Sequence, residues 1–582
     1  MEITEHKIIA IGRYKTVPKK KSSGAIYTPS GFAHFVANQI LNEAKHLKKE
    51  NKISVLDPAV GNGELLLALI QQLKNNGFKK IEATGFDTDP AAIELSNHRI
   101  TTLHPEVKLS LSADDFLQSL WSQKGATLDL FFQQPLNSGQ TFDLVIANPP
   151  YVRTQILGTK QASLLADKFK LDGRIDLYYA FLLSLDRILH KDSVVGIIVS
   201  NRFMTTKSGT SVRRGLWEKF SISSIWDFGD TRIFEAAVLP AVLVFKPRNR
   251  NSFSTSKPIF TSIYSTQNAE PAAEMPSFFE SLNKPGIIST PAGKFEVRVG
   301  KLHFERDSSG VWRLEDDGAS KWLKTVAKHT FCCFRDVGKI RVGIKTTADN
   351  VFIRSDWNNI PENERPELLR PLITHHIARR FKAESIGKIK VLYPHIIEDG
   401  RRIAVPLEQF PKSQMYLEKH RVQLEGRKYV IEAGRKWYEV WVPQDPAAWN
   451  HLKIVFRDIC TKPTFWMDRE GAVVNGDCYW LRAENTEKEP LLWLILAVAN
   501  SKFIEAFYDH KFNNKLYACR RRFMTQYVEE FPLPNPNTPA SREMIEKVKK
   551  IYDLLPNNDT ENLEAEVDLL VWKSFGFRPE KV

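Results

Sequence analysis

The sequence predicts an α/β protein with a doubly wound, Rossmann-like first part, followed by an α+β second part. Two observations predict the first part: apolar runs typical of buried parallel strands end in polar turns, and the first of these turns holds two glycines and opens a helical pattern. A third predicts the second part, because beyond about residue 297 short β-like runs are mixed with long helical ones.

The first turn follows the predicted strand at 53–56 and reads Asp57-Pro58-Ala59-Val60-Gly61-Asn62-Gly63. Its glycines allow a ligand to approach the backbone closely. The third glycine of the dinucleotide fingerprint is absent, since Leu66 stands in its place. The turn therefore predicts a nucleotide-like ligand without a pyrophosphate, bound beside Asp57, Ala59, Gly61 and Gly63.

Two further turns carry acidic residues. Asp87 and Thr88 follow the predicted strand at 81–86, where an acid can hold ribose hydroxyls. Asp115 and Phe116 follow the strand-like run at 107–111; the acid could accept a hydrogen bond from an adenine amino group, and the ring could lie against the base. Singly, an acid after a strand is usually a helix N-cap, so the interpretation depends on the ordered set.

The most informative motif is Asn148-Pro149-Pro150-Tyr151, which follows the apolar run at 142–147. The amide of Asn148 and the carbonyl of Pro149 can accept both hydrogens of an exocyclic amino group, and Tyr151 adds an aromatic face. Such motifs lie at the carboxyl ends of strands, where open α/β sheets bind ligands. The motif predicts chemistry on an amine attached to a planar ring; the alternative is a polyproline turn whose Tyr151 caps the core.

In this order the motifs resemble those of the gamma-class N6-adenine DNA methyltransferases of restriction-modification systems. The resemblance begins at Tyr27-Thr28-Pro29, continues through the four turns, and takes in the segments at 173–181, 195–203 and 227–234. It implies S-adenosylmethionine as the cofactor, with Tyr27, Thr28, Pro29 and Asn148 among its contacts. It also implies methyl transfer to N6 of an adenine flipped out of double-stranded DNA.

The segment at 227–234 places Phe234 in a predicted loop between two strand-like runs. A phenylalanine there could cover the second face of a flipped adenine, with Tyr151 against the first. The alternative is that Phe234 fills the core beneath the loop.

Charge is consistent with a polyanionic partner. The chain of 582 residues has a net charge of +14, and both its first 250 residues and the remainder are basic. Candidate phosphate contacts are Arg153, Lys436, Arg520, Arg521 and Arg522. For any one basic cluster the alternative is a solvated face.

Cysteine spacing and hydropathy bear on metal binding and on the cellular location of the protein. The five cysteines show no metal-ligand spacing, so we expect no metal site and reduced thiols. No apolar run approaches 18 residues, and no signal peptide is evident. We therefore expect a cytoplasmic protein with no membrane contact.

Composition and the family resemblance together imply four regions. These are a catalytic domain at 1–270, a linker at 271–296, a target-recognition domain at 297–535 that weakly resembles those of the family, and a helical segment at 536–582. We expect a monomer and a separately encoded endonuclease, because a fused nuclease normally precedes the methylase and the first cofactor motif here starts at Tyr27.

Two other functions remain open from the sequence. The same tetrapeptide occurs in methyltransferases that act on a protein glutamine or on RNA, which usually lack a basic second domain of this size. A DNA-binding specificity subunit, or a fused restriction enzyme, is the second alternative. The basic second domain and the full motif set favour DNA adenine methylation over both.

Overall fold

The computed structural model describes residues 28–120, 140–152, 163, 166–171, 176–231, 233–234, 239–248, 257–266, 278–290, 293–304, 307, 309–384, 386–512, 515–516 and 520–577. The chain divides into two compact units, residues 1–315 and 316–582. Each unit has its own hydrophobic cores, and the two are described separately below.

The first unit is built around one large sheet. Its strands are β1 Lys52–Asp57, β2 Lys80–Phe86, β3 Lys108–Ser112, β4 Phe142–Ala147, β5 Leu189–Ser200, β6 Phe220–Asp227, β7 Pro240–Pro247, β8 Ile259–Ser265, β9 Gly286–Thr290, β10 Gly293–Phe304 and β11 Trp312–Glu315. Its helices are α1 Ser30–Glu43, α2 Glu64–Asn75, α3 Pro90–Leu103, α4 Phe116–Ser119, α5 Leu177–Ser184, α6 Arg202–Thr205 and α7 Thr210–Lys219.

The sheet order is β11-β10-β8-β6-β7-β5-β4-β1-β2-β3, and β9 pairs with β10. Strands β1 to β5 run parallel to one another, whereas β7 lies antiparallel between β5 and β6. Parallel strands need crossover connections, and the helical segments between them supply these. The order reverses direction between β1 and β4, and open α/β sheets bind their ligands at such a point.

Helices cover the sheet and form two cores. Helix α1 buries Phe32, Phe35 and Ile40. A Cβ added at Gly196 of β5 would lie 2.5 Å from Ile40, so this helix packs directly on the sheet. Helix α5 is apolar on all sides and fully enclosed in the second core with Leu56 and Val145. The predicted fold class is confirmed for this unit.

The boundary of the first unit differs from the expected one. A linker was expected at 271–296, because the composition shifts to Ser, Thr, Asn and Pro from about residue 248 to 296. The structure places β9 and β10 there, with β10 paired to β8 along seven residues. Sheet pairing extends the first unit to Glu315. Phe295 and Val297 of β10 are buried and alternate with polar residues, a strand pattern that the composition of the preceding stretch obscured.

The second unit mixes short sheets and helices, as expected. Its strands are β12 Cys332–Cys333, β13 Ile340–Val342, β14 Ile353–Arg354, β15 Leu369–Ile373, β16 Phe381–Lys382, β17 Lys390–Leu392, β18 His395–Glu398, β19 Arg401–Ala404, β20 Lys453–Arg457, β21 Ile459–Cys460, β22 Phe465–Asp468, β23 Val473–Val474, β24 Cys478–Leu481, β25 Lys515–Leu516, β26 Arg520–Arg522 and β27 Pro532–Leu533. Its helices are α8 Asp317–His329, α9 Phe334–Val337, α10 Asp349–Phe352, α11 Pro411–Lys419, α12 Arg421–Glu425, α13 Lys428–Glu432, α14 Pro490–Ala499, α15 Lys502–Phe512, α16 Thr525–Val528, α17 Pro539–Leu554 and α18 Glu561–Ser574.

A five-stranded sheet, β13-β24-β20-β22-β16, and a four-stranded sheet, β14-β17-β15-β23, form the centre of this unit. The expected C-terminal helical segment exists as α17 and α18, and both contribute to the core around α14. In the part of the chain that the structure describes, no single helix is long and apolar enough to cross a bilayer; α14 and α15, bent by 74° at their junction, satisfy length and composition only as a pair.

Candidate active site

The candidate site lies where four parallel strands of the first unit end. Asp57 closes β1, Asp87 follows β2, and Asn148 follows β4. Asp57 pairs in register with Gly85 of β2, and Leu56 pairs with Val145 of β4. The turns after these strands therefore share one edge of the sheet, as the sequence predicted.

The glycine turn is held open by backbone geometry. Gly61 and Gly63 have φ of 52° and 81°, a region that favours glycine. The Ser96 hydroxyl donates to the Gly61 carbonyl at 2.7 Å, and the Arg99 guanidinium donates to the Asn62 carbonyl at 2.7 Å, so α3 fixes the turn from behind. A Cβ placed on Gly61 would meet no described atom within 4 Å. The turn thus presents backbone to open space at the sheet edge.

Asp87 organises that turn. One carboxylate oxygen accepts from the Gly61 amide at 2.9 Å, and the other accepts from the Asp89 amide at 2.9 Å. A carboxylate oxygen can accept more than one hydrogen bond, so both bonds are compatible with further bonds from ribose hydroxyls. Thr88, next to it, is exposed, while Asp89 caps α3 through the Ala91 amide at 3.0 Å.

Asp57 is the most unusual group of the site. Its side chain is fully buried, and Oδ1 accepts from the Ala59 amide at 3.0 Å. Oδ2 is buried without a hydrogen-bond partner among the described residues. Burial, with a smaller contribution from the nearby charge of Asp87, raises the pKa of Asp57 to about 8. Buried polar atoms are almost always paired in folded proteins, so this oxygen indicates a missing donor or ligand.

The third turn is satisfied within the fold. Asp115 caps α4, with Oδ1 accepting from the amides of Leu117 at 2.8 Å and Gln118 at 3.2 Å. The ring of Phe116 is 2% exposed and lies 5.7 Å from both the Phe86 and Phe181 rings. The structure therefore shows Asp115 as an N-cap and Phe116 as a core residue. Adenosine contacts by this pair stay a prediction.

Asn148 and Tyr151 lie together as the tetrapeptide predicted. The Tyr151 hydroxyl donates to Asn148 Oδ1 at 2.9 Å, and Asn148 Nδ2 donates to Thr28 Oγ1 at 3.1 Å. The Tyr151 ring meets the Tyr178 ring edge to face, with centroids 5.9 Å apart. Pro149 is buried, whereas Asn148 is partly exposed. The site thus combines an amide, a proline carbonyl and an aromatic ring at the end of β4.

Phe234 takes the alternative position weighed from the sequence. Its side chain is 4% exposed, and its ring packs edge to face on Phe32 at 5.7 Å. It belongs to an aromatic group that also contains Phe35, Phe228 and Phe279. The prediction of a second stacking surface is not supported by this position, because α1 brings two phenylalanines under the loop and makes burial of Phe234 favourable.

The loop that holds Phe228 and Phe234 is anchored by a buried polar group that sequence reasoning missed. Asp227, at the end of β6, accepts from the Asn201 amide at 2.8 Å and from the Tyr264 hydroxyl at 2.7 Å. Burial raises its pKa. Asp227 lies in a segment already matched to the family, but its partners Asn201 and Tyr264 are 26 and 37 positions away, and no local pattern could have shown these contacts.

The residues predicted to contact DNA differ in their surroundings, since some form ion pairs within the chain and others are exposed. Arg521 forms two hydrogen bonds of 2.8 Å with the Asp509 carboxylate and is 13% exposed, and Arg522 pairs with Asp458 at 3.1 Å. Arg520 and Lys436 are exposed, and Lys436 Nζ lies 5.7 Å from the Tyr438 ring centre. The cluster at 520–522 is therefore in large part an internal ion-pair network, because opposing strands and helices bring carboxylates against it. Tyr27 and Arg153 lie outside the described residues.

A nucleoside-like ligand fits these groups. The donor set at the sheet edge consists of backbone amides, two carboxylates and an amide side chain. In the described ranges, no group of three or more His, Cys, Asp or Glu is placed so that it could hold a metal ion. The buried oxygen of Asp57 and the open space at Gly61 suit a ligand with a cationic or hydroxyl donor.

Known proteins are similar to this chain in sequence and in fold. A family described as Eco57I restriction-modification methylase matches residues 67–234, and one described as TaqI-like C-terminal specificity domain matches 407–533. The type II methyltransferase M.BanIII of Aneurinibacillus aneurinilyticus is 37% identical over 572 residues, which cover 96% of this chain and 98% of that protein. M.BstVI of Geobacillus stearothermophilus is 23% identical over 555 residues, covering 91% and 94%.

One solved structure supports the fold over nearly the whole chain. The type IIL restriction-modification enzyme MmeI in complex with DNA matches with a TM-score of 0.63 at 13% identity, covering 97% of this chain and 78% of that chain. At that identity the match concerns the fold, and the sequence relatives carry the family assignment. The chain belongs to the type II methyltransferases of restriction-modification systems, a family of DNA methyltransferases.

Proposed function

We propose that this chain transfers the methyl group of S-adenosylmethionine to N6 of an adenine flipped out of double-stranded DNA. The observation that carries the proposal is the pairing of Asn148 and Tyr151 at the end of β4. The same sheet edge holds the glycine turn and the Asp57 oxygen that has no hydrogen-bond partner among the described residues. A target amine and a nucleoside-like cofactor would then meet at one edge.

The residues that would hold the cofactor follow from the geometry. The glycine turn would accommodate it against the backbone, Asp87 would accept from ribose hydroxyls, and buried Asp57 would pair with a donor of its methionine part. The bound cofactor supplies a methyl group already activated by its sulfonium. The chemistry asked of the chain is therefore positioning of a nucleophile.

Asn148 and Pro149 would orient that nucleophile. In this proposal Asn148 Oδ1 and the Pro149 carbonyl accept the two hydrogens of adenine N6, which directs the nitrogen lone pair toward the methyl group. Tyr151 stacks on the base, and a stacking contact of this kind stabilises the bound base by roughly 1 to 3 kcal/mol. Unstacking the adenine from the duplex costs a few kcal/mol, and this stacking offsets part of it.

The named relatives support a proposal about the biological role of this chain. M.BanIII is named as a type II methyltransferase and matches 96% of this chain. We therefore propose that the chain is the protective modification enzyme of a restriction-modification system, with its endonuclease on a separate chain. We further propose that it acts in the cytoplasm as a monomer.

The test is a substrate comparison with labelled S-adenosylmethionine. Double-stranded DNA, RNA and protein are offered separately, and incorporated methyl groups are counted. Label should enter double-stranded DNA. Label only in RNA or in a protein glutamine would favour the alternative methyltransferases that share the tetrapeptide, and no transfer to any substrate would leave a DNA-binding subunit as the better account.

A further inference from the structure

The side chain of Asn148 is bound at both ends by hydroxyl groups from distant parts of the chain. Tyr151, three positions later, donates to its oxygen at 2.9 Å. Thr28, 120 positions earlier, accepts from its nitrogen at 3.1 Å. An asparagine amide turns about a torsion with broad, roughly two-fold preferences, so both ends must be held if only one orientation is to persist.

Both hydroxyls are themselves fixed. Thr28 is 8% exposed and stands just before α1, whose first turn begins at the Pro29 carbonyl and whose apolar face is buried on the sheet. The Tyr151 ring is set by its edge-to-face contact with Tyr178, whose own hydroxyl donates to the Ser200 carbonyl at 3.3 Å. Thr28 and Tyr151 are therefore held in place by the buried elements on which they lie.

The chemistry of the two hydroxyls selects one orientation of the amide. A phenol is a stronger donor and a weaker acceptor than an aliphatic alcohol, since its proton is more acidic. The phenol of Tyr151 thus favours the amide oxygen, and the alcohol of Thr28 can accept from the amide nitrogen. Burial raises the pKa of Tyr151, which keeps its hydroxyl protonated as a donor.

We propose that the Thr28 and Tyr151 hydroxyls are positioning groups that hold the Asn148 amide with its oxygen turned toward the target amine. The inference rests on the proposed function. An amide turned the other way would present N–H groups to the N–H groups of the amine, which is repulsive. An amide oxygen has two lone pairs, so the bond from Tyr151 is compatible with a second bond from an amine hydrogen.

This assignment gives both residues a role beyond those expected from the sequence. Thr28 was predicted as a cofactor contact and Tyr151 as a stacking ring. Here the hydroxyl of each acts through Asn148, and a substitution that removes only the hydroxyl isolates that role. Thr28→Val is nearly isosteric, Thr28→Ser keeps the hydroxyl, and Tyr151→Phe keeps the ring.

The kinetic test measures single-turnover methyl transfer to DNA at saturating cofactor, with cofactor and DNA affinities determined separately. Thr28→Val and Tyr151→Phe should each slow transfer about three- to tenfold, as expected for loss of one net hydrogen bond. The transfer rate of Thr28→Ser should stay within about twofold of the parent rate. The cofactor and DNA affinities of the variants should change by less than about twofold. The variant that carries both substitutions should show a smaller fold-decrease in transfer rate than the product of the two single decreases, because both hydroxyls act on one amide.

Two kinetic outcomes would overturn the inference. One is a transfer rate for Thr28→Val equal to that of the parent. The other is weaker cofactor binding by Thr28→Val with an unchanged transfer rate, which would make Thr28 a cofactor ligand only. Tyr151→Phe tests the same amide from its other end if Thr28→Val folds poorly.

A second measurement does not depend on activity. With ¹⁵N-labelled asparagine, the Asn148 side-chain amide signals are assigned by their loss in Asn148→Ala, and their hydrogen exchange is followed. Exchange should be at least about fivefold faster in Thr28→Val than in the parent or Thr28→Ser. Equal exchange in all three would refute the anchoring. A parent that methylates no DNA would defeat the proposed function and leave this test in force.

Discussion

The glycine turn of the first unit and the arginine strand β26 of the second unit both carry polar groups that point to ligands in the sequence, but their structures differ. At the turn, Asp57 Oδ2 is buried without a described partner, and Gly61 faces open space. On β26, Arg521 and Arg522 pair with carboxylates of their own chain. A buried polar group without a described partner, beside an open turn, is a candidate ligand contact, whereas charges paired within the chain contribute to its folded structure.

The largest expected effect distinguishes a position of Phe234 in the hydrophobic core from a position in the pocket for the flipped base. Phe234→Ala should lower the free energy of unfolding by ~3 to 5 kcal/mol, because the ring is buried in the aromatic group around Phe32. Base flipping per folded molecule, followed by the fluorescence of 2-aminopurine at the target position, should not change. Tyr151→Ala is the matched control and should reduce that fluorescence. A stable Phe234→Ala protein with impaired flipping would return Phe234 to the pocket.

The second prediction concerns chemistry at Asn148. Asn148→Ala should reduce the rate of methyl transfer by roughly two to three orders of magnitude, the usual loss when an oriented polar group is removed from an active site. Cofactor affinity should remain close to that of the parent, as measured by calorimetry. Normal transfer by this variant would show that the amine is oriented by other groups.

The third prediction concerns binding at Asp87. Asp87→Ala should weaken S-adenosylmethionine binding by roughly 1 to 3 kcal/mol, because the Gly61 amide loses its acceptor and the ribose loses its partner. Titration calorimetry measures the change, with Asp89→Ala, which removes only the cap of α3, as the control. If the two variants bind the cofactor equally well, the ribose assignment is wrong.

The fourth prediction is a pH dependence. Because the folded-state pKa of Asp57 is about 8 against 3.8 for an ordinary aspartate, the folded chain keeps a proton that the unfolded chain releases between those values. The contribution of this carboxyl to stability is present in acid and is lost as pH rises, by up to ~1.4 kcal/mol per pH unit. Denaturant unfolding of the cofactor-free parent should show this slope relative to Asp57→Asn. Parallel curves for the two proteins would show that Asp57 is ionised when buried.

The smallest effect concerns the basic strand. In the full-length chain, Arg520→Ala should reduce the salt dependence of DNA binding by about one counterion, since its exposed side chain can reach phosphate. Arg521→Ala should leave the salt slope unchanged and reduce stability, because it breaks the bonds to Asp509. Equal loss of salt slope in both variants would mean that the ion pairs exchange for phosphate when DNA binds.

The sequence predicted the sheet edge well because strands, glycine turns and the tetrapeptide are local patterns. Asp57, Gly61, Asp87 and Asn148 lie where those patterns placed them. Prediction from the sequence failed where the residues that contact each other are distant along the chain. The carboxylates that pair with Arg521 and Arg522, and the helix that buries Phe234, are set by tertiary packing that no local spacing reveals.

The predicted boundary of the first domain also differs from the structure. The composition of residues 248–296 resembled a linker, and it obscured β9 and the alternation of buried and polar residues with which β10 begins. The contact between Thr28 and Asn148 is the same kind of case within the site, since the residues come from segments that fold together only when α1 packs on the sheet.

The most direct test of the central claim is the identity of the methylated base. DNA modified by the purified chain with S-adenosylmethionine is digested to nucleosides and analysed by mass spectrometry. The account predicts N6-methyl-2′-deoxyadenosine at one recurrent sequence, absent from DNA treated with Asn148→Ala. Methyl groups found only on cytosine, or on no base of DNA, would contradict it.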